Sequence, residues 1–216
     1  MLLVLAALAA VPAQEPNDAE KLFRNMEEKV AKAKTVKLAF DVPVGKDTAV
    51  TGTILRAMGD KCRLEWAWVK AGQSEDFLVV SDGRQIIARG LPQAPGKGNT
   101  PKDLDKLLIK SIAEYGVVST TEMFIVEQGV VKLRGGRDWT CSDFRLGKKE
   151  KLGQVDVQII EYKVGNGAKV SAKLWLDSKT GLPLKRSYLL LGKPCIETYS
   201  QFVLDEKMED KLFQLP

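Results

Sequence analysis

Residues 170–191 read VSAKLWLDSKTGLPLKRSYLLL. Val170 to Asp177 and Pro183 to Leu191 are apolar-rich runs of strand length, and Ser178-Lys179-Thr180-Gly181 between them is a cluster of turn formers. Two such runs around a short Gly-containing connection read as an antiparallel hairpin. The same grammar continues on both sides. Trp139 to Leu146, Val155 to Val164 and Cys195 to Leu204 are three more strand candidates. Their connections are Lys148–Gly153, Gly165-Asn166-Gly167 and Gly192-Lys193-Pro194, all short and rich in Gly, Asn or Pro. The last third of the chain is therefore expected to be a five-stranded meander.

The first third has the same period after one helix. Asn17-Asp18-Ala19-Glu20 supplies an N-cap and an acidic first turn, and Leu22, Phe23, Met26, Val30 and Ala33 follow at helical spacing. This predicts an amphipathic helix over 18–33. Val36, Leu38, Phe40 and Val42 then alternate with polar neighbours, as in a strand with one buried face. Residues 48–58 continue as a second strand, and Cys62, Leu64, Trp66 and Trp68 share one face of a third. Phe77–Val80 and Gln85–Arg89 flank the tight turn Ser81-Asp82-Gly83-Arg84. Residues 90–101 (GLPQAPGKGNTP) predict a mobile loop. Leu104, Leu107, Leu108, Ile112 and Tyr115 predict a second amphipathic helix, and 119–128 a short third one.

Met1 to Ala10 reads MLLVLAALAA, followed by Val11-Pro12-Ala13-Gln14, whose small residues suit a signal-peptidase site. The run is far shorter than the roughly 20 residues that cross a bilayer as a helix. The expectation is a cleaved signal peptide over 1–13 and a single domain over 14–216, in an exported, periplasmic protein. No Cys lies in or just after the run, which argues against a lipid anchor.

The remaining composition narrows the function classes. The 216 residues hold 33 Lys and Arg against 28 Asp and Glu, a net charge of +5. Acids are interleaved with the bases, without the gathered bases and aromatics of a nucleic-acid groove. The densest basic patch, Lys148-Lys149-Glu150-Lys151, reads as a solvated loop, with anionic lipid headgroups a softer alternative. There is no His, which removes Ser-His-Asp and Cys-His catalysis and His-ligated zinc. Cys62, Cys141 and Cys195 allow one disulfide at most, and Cys141 with Cys195 is the first pair to test. Cys62, in an alternating apolar run, reads as a small buried hydrophobe.

With that order in place, the C-terminal third resembles a known group. Leu174-Trp175-Leu176-Asp177 with Lys179-Thr180-Gly181-Leu182-Pro183-Leu184-Lys185-Arg186 is similar to the apolar-W-(I/L)-D…T-G-L-P-x-(K/R) hairpin of the LolA-like superfamily. Glu197-Thr198-Tyr199 to Phe202-Val203-Leu204-Asp205 resembles its closing strand, and Asp210 to Pro216 its F-x-x-P end. That superfamily includes periplasmic carriers of outer-membrane lipoproteins, lipid-binding lipoproteins and sensors of envelope stress. The resemblance implies an α+β fold: a strongly curved antiparallel sheet, an open half-barrel, with helices covering its concave face. It implies a lipid or lipoprotein acyl chain as guest, held in an apolar cavity. The alternative partner is an envelope protein, whose tail would bind the same scaffold. No cofactor, no metal and no nucleic acid are expected, and the protein is expected to be a monomer, peripheral to membranes at most. The carriers also use an arginine on an early strand in lid control; Arg56 falls in the second strand, and no local motif ties it to that role.

Phe40, Leu64, Trp66 and Trp68 are the candidates for the cavity wall, with Phe77, Val79 and Tyr188 beside them. Plain core packing demands the same apolar residues at period two, so both readings stand. Trp175 has the opposite parity to Leu174 and Leu176, which puts it on the outer face, packed beside the hairpin or under a helix. Asp177 next to Lys179-Thr180-Gly181 reads as a turn former before it reads as a catalyst. Glu65 with Glu75 or Asp76 reads as solvated strand faces, and no residue stands out as a catalytic group.

Overall fold

The structure is a computed structural model that describes residues 16–90, 96–102, 104, 130–133, 137–165, 169–190 and 193–216. The expected signal segment, the helix beyond Leu104 and the short helix over 119–128 lie outside these residues. Asn17 opens the first element, accepting the Glu20 N–H on its side-chain oxygen at 3.0 Å. The helix α1 (Asp18–Lys32) follows, with Asp18 and Glu20 in its first turn and Lys29 and Lys32 in its last, the polarity its dipole favours. Its buried stripe is Ala19, Phe23, Met26 and Val30. Leu22, expected in that stripe, is instead 39 % exposed. Asn17 also donates its side-chain N–H to the Phe144 carbonyl at 2.8 Å, which ties the helix start to a strand far along the chain.

Among the described residues twelve strands follow: β1 (Thr35–Gly45), β2 (Thr48–Ala57), β3 (Lys61–Lys70), β4 (Gln73–Asp82), β5 (Gln85–Arg89), β6 (Lys97–Asn99), β7 (Val130–Leu133), β8 (Arg137–Leu152), β9 (Val155–Gly165), β10 (Val170–Asp177), β11 (Pro183–Leu190) and β12 (Lys193–Leu204). They form one antiparallel sheet in the order β6-β5-β4-β3-β2-β1-β12-β11-β10-β9-β8-β7. It is two meanders, each running strand to neighbouring strand, sewn together where β1 meets β12. That seam pairs Val36 with Leu204 and Leu38 with Phe202, then slips by one residue so that Phe40 faces Tyr199. The sheet is curved and unclosed, an α+β half-barrel. Irregularities at Trp175/Leu176 and at two points in β8 add the bends that curvature needs.

The inner face carries the main core. Phe23 and Met26 of α1 join Leu38, Leu64, Val79, Ile160 and Leu174 in one buried cluster. The outer face has a smaller cluster of Val157, Ile159 and Trp175, with Leu152 and Leu184 against it. Trp175 is thus outward, as its parity requires. Strand residues rather than a described helix cover it: the indole N–H donates to Glu150 at 2.6 Å, and the Lys185 ammonium lies 4.7 Å from its ring centre. At the chain end, Asp210–Phe213 forms a single 3-10 turn on the outer side of β3. Phe213 is buried there, Lys61 pairs with Asp210 at 2.7 Å, and Arg63 donates to the Leu212 carbonyl at 3.4 Å.

Three sequence expectations need correction. Residues 90–101 are not wholly loop, because Lys97–Asn99 adds β6 to the edge of β5, pairing Ile86 with Gly98. The Lys148–Gly153 connection is strand as far as Leu152, and the turn is only Gly153-Gln154. Glu150 is held in line there by Trp175, which a reading of charge density alone cannot anticipate. Cys141 and Cys195 form no disulfide, and all three cysteines are thiols. Cys141 sits on β8 and Cys195 on β12, four strand spacings of about 4.8 Å apart, well beyond disulfide reach. Cys62 is the buried hydrophobe its context suggested.

The β3–β4 hairpin turns on Ala71-Gly72, with φ of 48° and 81°. Two left-handed residues suit the twist of the flanking strands, but an L residue with a Cβ is strained there. Ala71→Gly should therefore stabilise the fold by about 1 kcal/mol. A rise in the urea midpoint with unchanged slope is the expected reading, and an unchanged or lower midpoint contradicts it.

Candidate functional site

The inner face holds two adjoining patches, one apolar and one polar. In the apolar patch the register places Phe40 opposite Gly52, Gly52 opposite Trp66, and Trp66 opposite Phe77. This is a single row across β1, β2, β3 and β4. Trp66 and Phe77 stack with ring centres 3.8 Å apart and planes 9° from parallel. Gly52 is required beneath them, since a Cβ there would lie 2.6 Å from Phe40 Cζ and 2.7 Å from Trp66 Cβ. A parallel row runs through Leu38, Ile54, Leu64, Val79 and Ala88. Trp68, opposite Val50 and Glu75, is only partly buried and forms the rim of the patch.

Six of the seven expected wall residues therefore come together on one surface. Phe40, Leu64, Trp66, Phe77 and Val79 are between 0 and 5 % exposed, packed against the protein's own side chains. Tyr188 lies on the same face but in the other patch, on β11 opposite Cys195 and Ala172. Arg56, also inward on β2, faces Val36 and Cys62.

The polar patch was not anticipated. Arg186 and Glu197 are directly opposed on β11 and β12, and are 3 % and 0 % exposed. Glu197 accepts hydrogen bonds from the Tyr199 hydroxyl at 2.7 Å and from the Tyr188 hydroxyl at 3.2 Å. The Arg186 guanidinium lies 5.8 Å from the centre of the Tyr162 ring and 5.5 Å from that of Tyr188. Tyr162 in turn packs on Phe23 of α1, with ring centres 5.0 Å apart. Burial, reinforced by the Glu197 carboxylate, holds the Tyr199 phenol well above its ordinary pKa, and burial raises Tyr162 as well. Burial likewise raises the Cys195 thiol. The signal was present in the sequence: Arg186 and Tyr188, and Glu197 and Tyr199, are i,i+2 pairs, so each pair shares a face.

Elsewhere the carboxylates have structural work. Asp177 Oδ1 accepts the N–H groups of Lys179 and Thr180, so it shapes the turn. Glu65 bonds Arg63, and Asp76 accepts from Ser74. A groove of ≈ 540 Å³ lies among Arg145, Glu161, Lys163, Lys173 and Leu189 on the outer side of β8 to β11. Charged side chains line it, Lys163 paired with Asp143 at 3.0 Å and Lys173 with Glu161 at 2.6 Å. Among the described residues no three His, Cys, Asp or Glu gather as metal ligands, and no helix is long and apolar enough to cross a membrane.

The open antiparallel sheet with α1 against its inner side is the α+β half-barrel arrangement that was expected. No family model matches the chain, and no curated protein matches it in sequence. Among solved structures it is similar to MucB, at 14 % identity and a TM-score of 0.49, over 92 % of this chain and 63 % of that one. The chain thus spans less than two thirds of that MucB chain. It is also similar to LprF from Mycobacterium bovis, at 9 % identity and TM-score 0.47, over 88 % of this chain and 96 % of that one. A LolA superfamily protein from Nitrosomonas europaea follows at 11 % identity and TM-score 0.30, over 91 % and 97 %. Identities this low assign no ligand and no partner.

Two expected outcomes follow from the polar patch. Glu197→Ala removes the carboxylate opposite a buried guanidinium and the acceptor of two tyrosine hydroxyls, and should destabilise the fold by about 3–5 kcal/mol, whereas Arg186→Met with Glu197→Leu, which leaves no buried charge there, should recover part of that. A double variant no better than the single one in urea unfolding would show that the two residues are not coupled. The raised phenols also fix a pH dependence. They are most favourable protonated, so their contribution is complete below the unfolded value of about 10 and declines as pH rises above it. Unfolding free energy should fall on titration above about pH 10, less steeply in Tyr199→Phe; an equal slope in both proteins would contradict this.

Proposed function

We propose that the chain is an exported carrier that shelters the acyl chains of a lipid or lipoprotein against the apolar inner face of its open sheet. In this reading residues 1–13 are a cleaved signal peptide, residues 14–216 form a single domain, and the mature protein works in the periplasm as a monomer. It needs no catalytic centre and no cofactor. The aromatic row is the observation that carries the reading: Phe40, Trp66 and Phe77 meet over Gly52 on the inner side of an unclosed sheet, with Trp68 at their rim. Leu64 and Val79 extend the wall, and Tyr188 leads from it toward the polar patch.

Binding of this kind is burial without directed chemistry. Each methylene removed from water contributes about 0.8 kcal/mol, so ten of them supply about 8 kcal/mol before ordering is deducted. Part of that gain goes into separating side chains that now touch each other, the Trp66–Phe77 stack first among them. The reading therefore demands that a guest changes the environment of Trp66 and Trp68.

Native mass spectrometry of the protein after mild extraction should show a lipid-sized adduct. A fluorescent fatty-acid probe should quench the tryptophan emission, and Trp66→Ala and Trp68→Ala should each weaken its binding about tenfold, equivalent to about 1.4 kcal/mol. An adduct with the mass of a protein would support the envelope-partner alternative instead. A chain that stays ligand-free and leaves the probe unbound removes the carrier reading.

A further inference from the structure

The hairpin of β8 and β9 is set apart from the inner face by its charge. Residues 137–190 contain eleven Lys and Arg against six Asp and Glu, so this quarter of the chain accounts for the whole net charge of +5. Lys148, Lys149 and Lys151 are exposed near the hairpin tip. Lys151 has only a loose ion pair with Asp156 at 3.8 Å. Among the described residues Lys148 and Lys149 have no ion-pair partner, and the neighbouring Glu150 is engaged by the Trp175 indole. Next to the turn Val155 lies in the open at 37 % exposure.

The hairpin is also stiff. Val157, 0 % exposed, and Ile159 pack with Trp175 beneath it, and Gly147 lets β8 lie close on Ile159, where a Cβ would come within 2.8 Å. The Ser178 N–H donates to the Asp156 carbonyl at 2.9 Å, which ties the tip to the β10–β11 turn that carries Lys179. Beside that turn, Lys29 of α1 donates to the Thr180 carbonyl. A rigid tip presenting the Lys148 and Lys149 ammonium groups and an exposed valine is complementary to one surface in particular. An anionic bilayer attracts each lysine and accepts the aliphatic side chain at the level of its headgroups.

We infer that the β8–β9 hairpin docks the protein reversibly onto anionic lipid surfaces through Lys148, Lys149 and Lys151, with Val155 at the hairpin end entering the headgroup layer. The inference does not depend on the acyl-carrier reading, since partition onto intact vesicles and binding of a fatty-acid probe are separate readouts. The full chain should sediment with vesicles of phosphatidylcholine containing about one third phosphatidylglycerol and not with pure phosphatidylcholine, and this should weaken from about 0.1 M to 0.5 M salt. Lys148→Gln with Lys149→Gln should lower the partition coefficient about tenfold or more, at roughly 1 kcal/mol per lysine. Lys46→Gln with Lys70→Gln removes the same charge from exposed positions at the opposite end of the sheet and should lower it by less than about threefold. Val155→Ser, measured separately, should lower partition at both salt concentrations. Equal losses from the two lysine pairs, or equal partition onto the two vesicle types, overturns the inference.

Discussion

The pairing of β1 with β12 is the constraint on which the rest of the molecule depends. Without it there are two separate meanders, each with one apolar face and too little material to cover it. With it, Leu38 meets Phe202 and Phe40 meets Tyr199, and the two apolar faces become one. The one-residue slip between Ala39 and Phe40 matters as much as the pairing. A strand whose side chains alternate cannot slip without changing faces unless an extra residue is absorbed, and the bulge absorbs it. The aromatic row and the polar patch adjoin because of that one residue.

A buried arginine and glutamate on an otherwise apolar face are no stabilising device in themselves. Desolvating the two charges offsets most of their attraction. What the pair supplies is an exact address. Arg186 can meet Glu197 in only one register of β11 against β12, and Glu197 can collect the hydroxyls of Tyr188 and Tyr199 only when both strands keep their inward parity. Leucines at these positions would tolerate a slipped sheet; a carboxylate with two named donors does not.

Much of this was legible in the residues. Strong period-two alternation located β1, β3, β9 and β10, because one face of each is buried and the other wet. The Asn17 cap and the Phe23, Met26 and Val30 stripe located α1. The expected wall residues share one surface because parity within a strand is local information. Pairing between distant strands is not local, and so the seam, the row through Gly52 and the opposition of Arg186 to Glu197 could not be read in advance. The errors have the same origin. Lys148 to Lys151 look like a loop until Trp175, 25 residues away from Glu150, reaches across and keeps them in a strand. Lys97–Asn99 looks like a Gly-rich connection until the open edge of β5 recruits its backbone.

The seam has a further consequence for biogenesis. Its two halves come from β1 and β12, so during vectorial synthesis one edge of β1 stays open until residues 198–204 have emerged. Nearby hairpins form early, but the sheet completes only when Thr198 to Leu204 arrive, a closure across more than 150 residues of intervening chain that loop entropy makes slow. Until β12 arrives the two meanders fold as separate hairpin stacks, and its pairing with β1 is the step that locks them into one sheet.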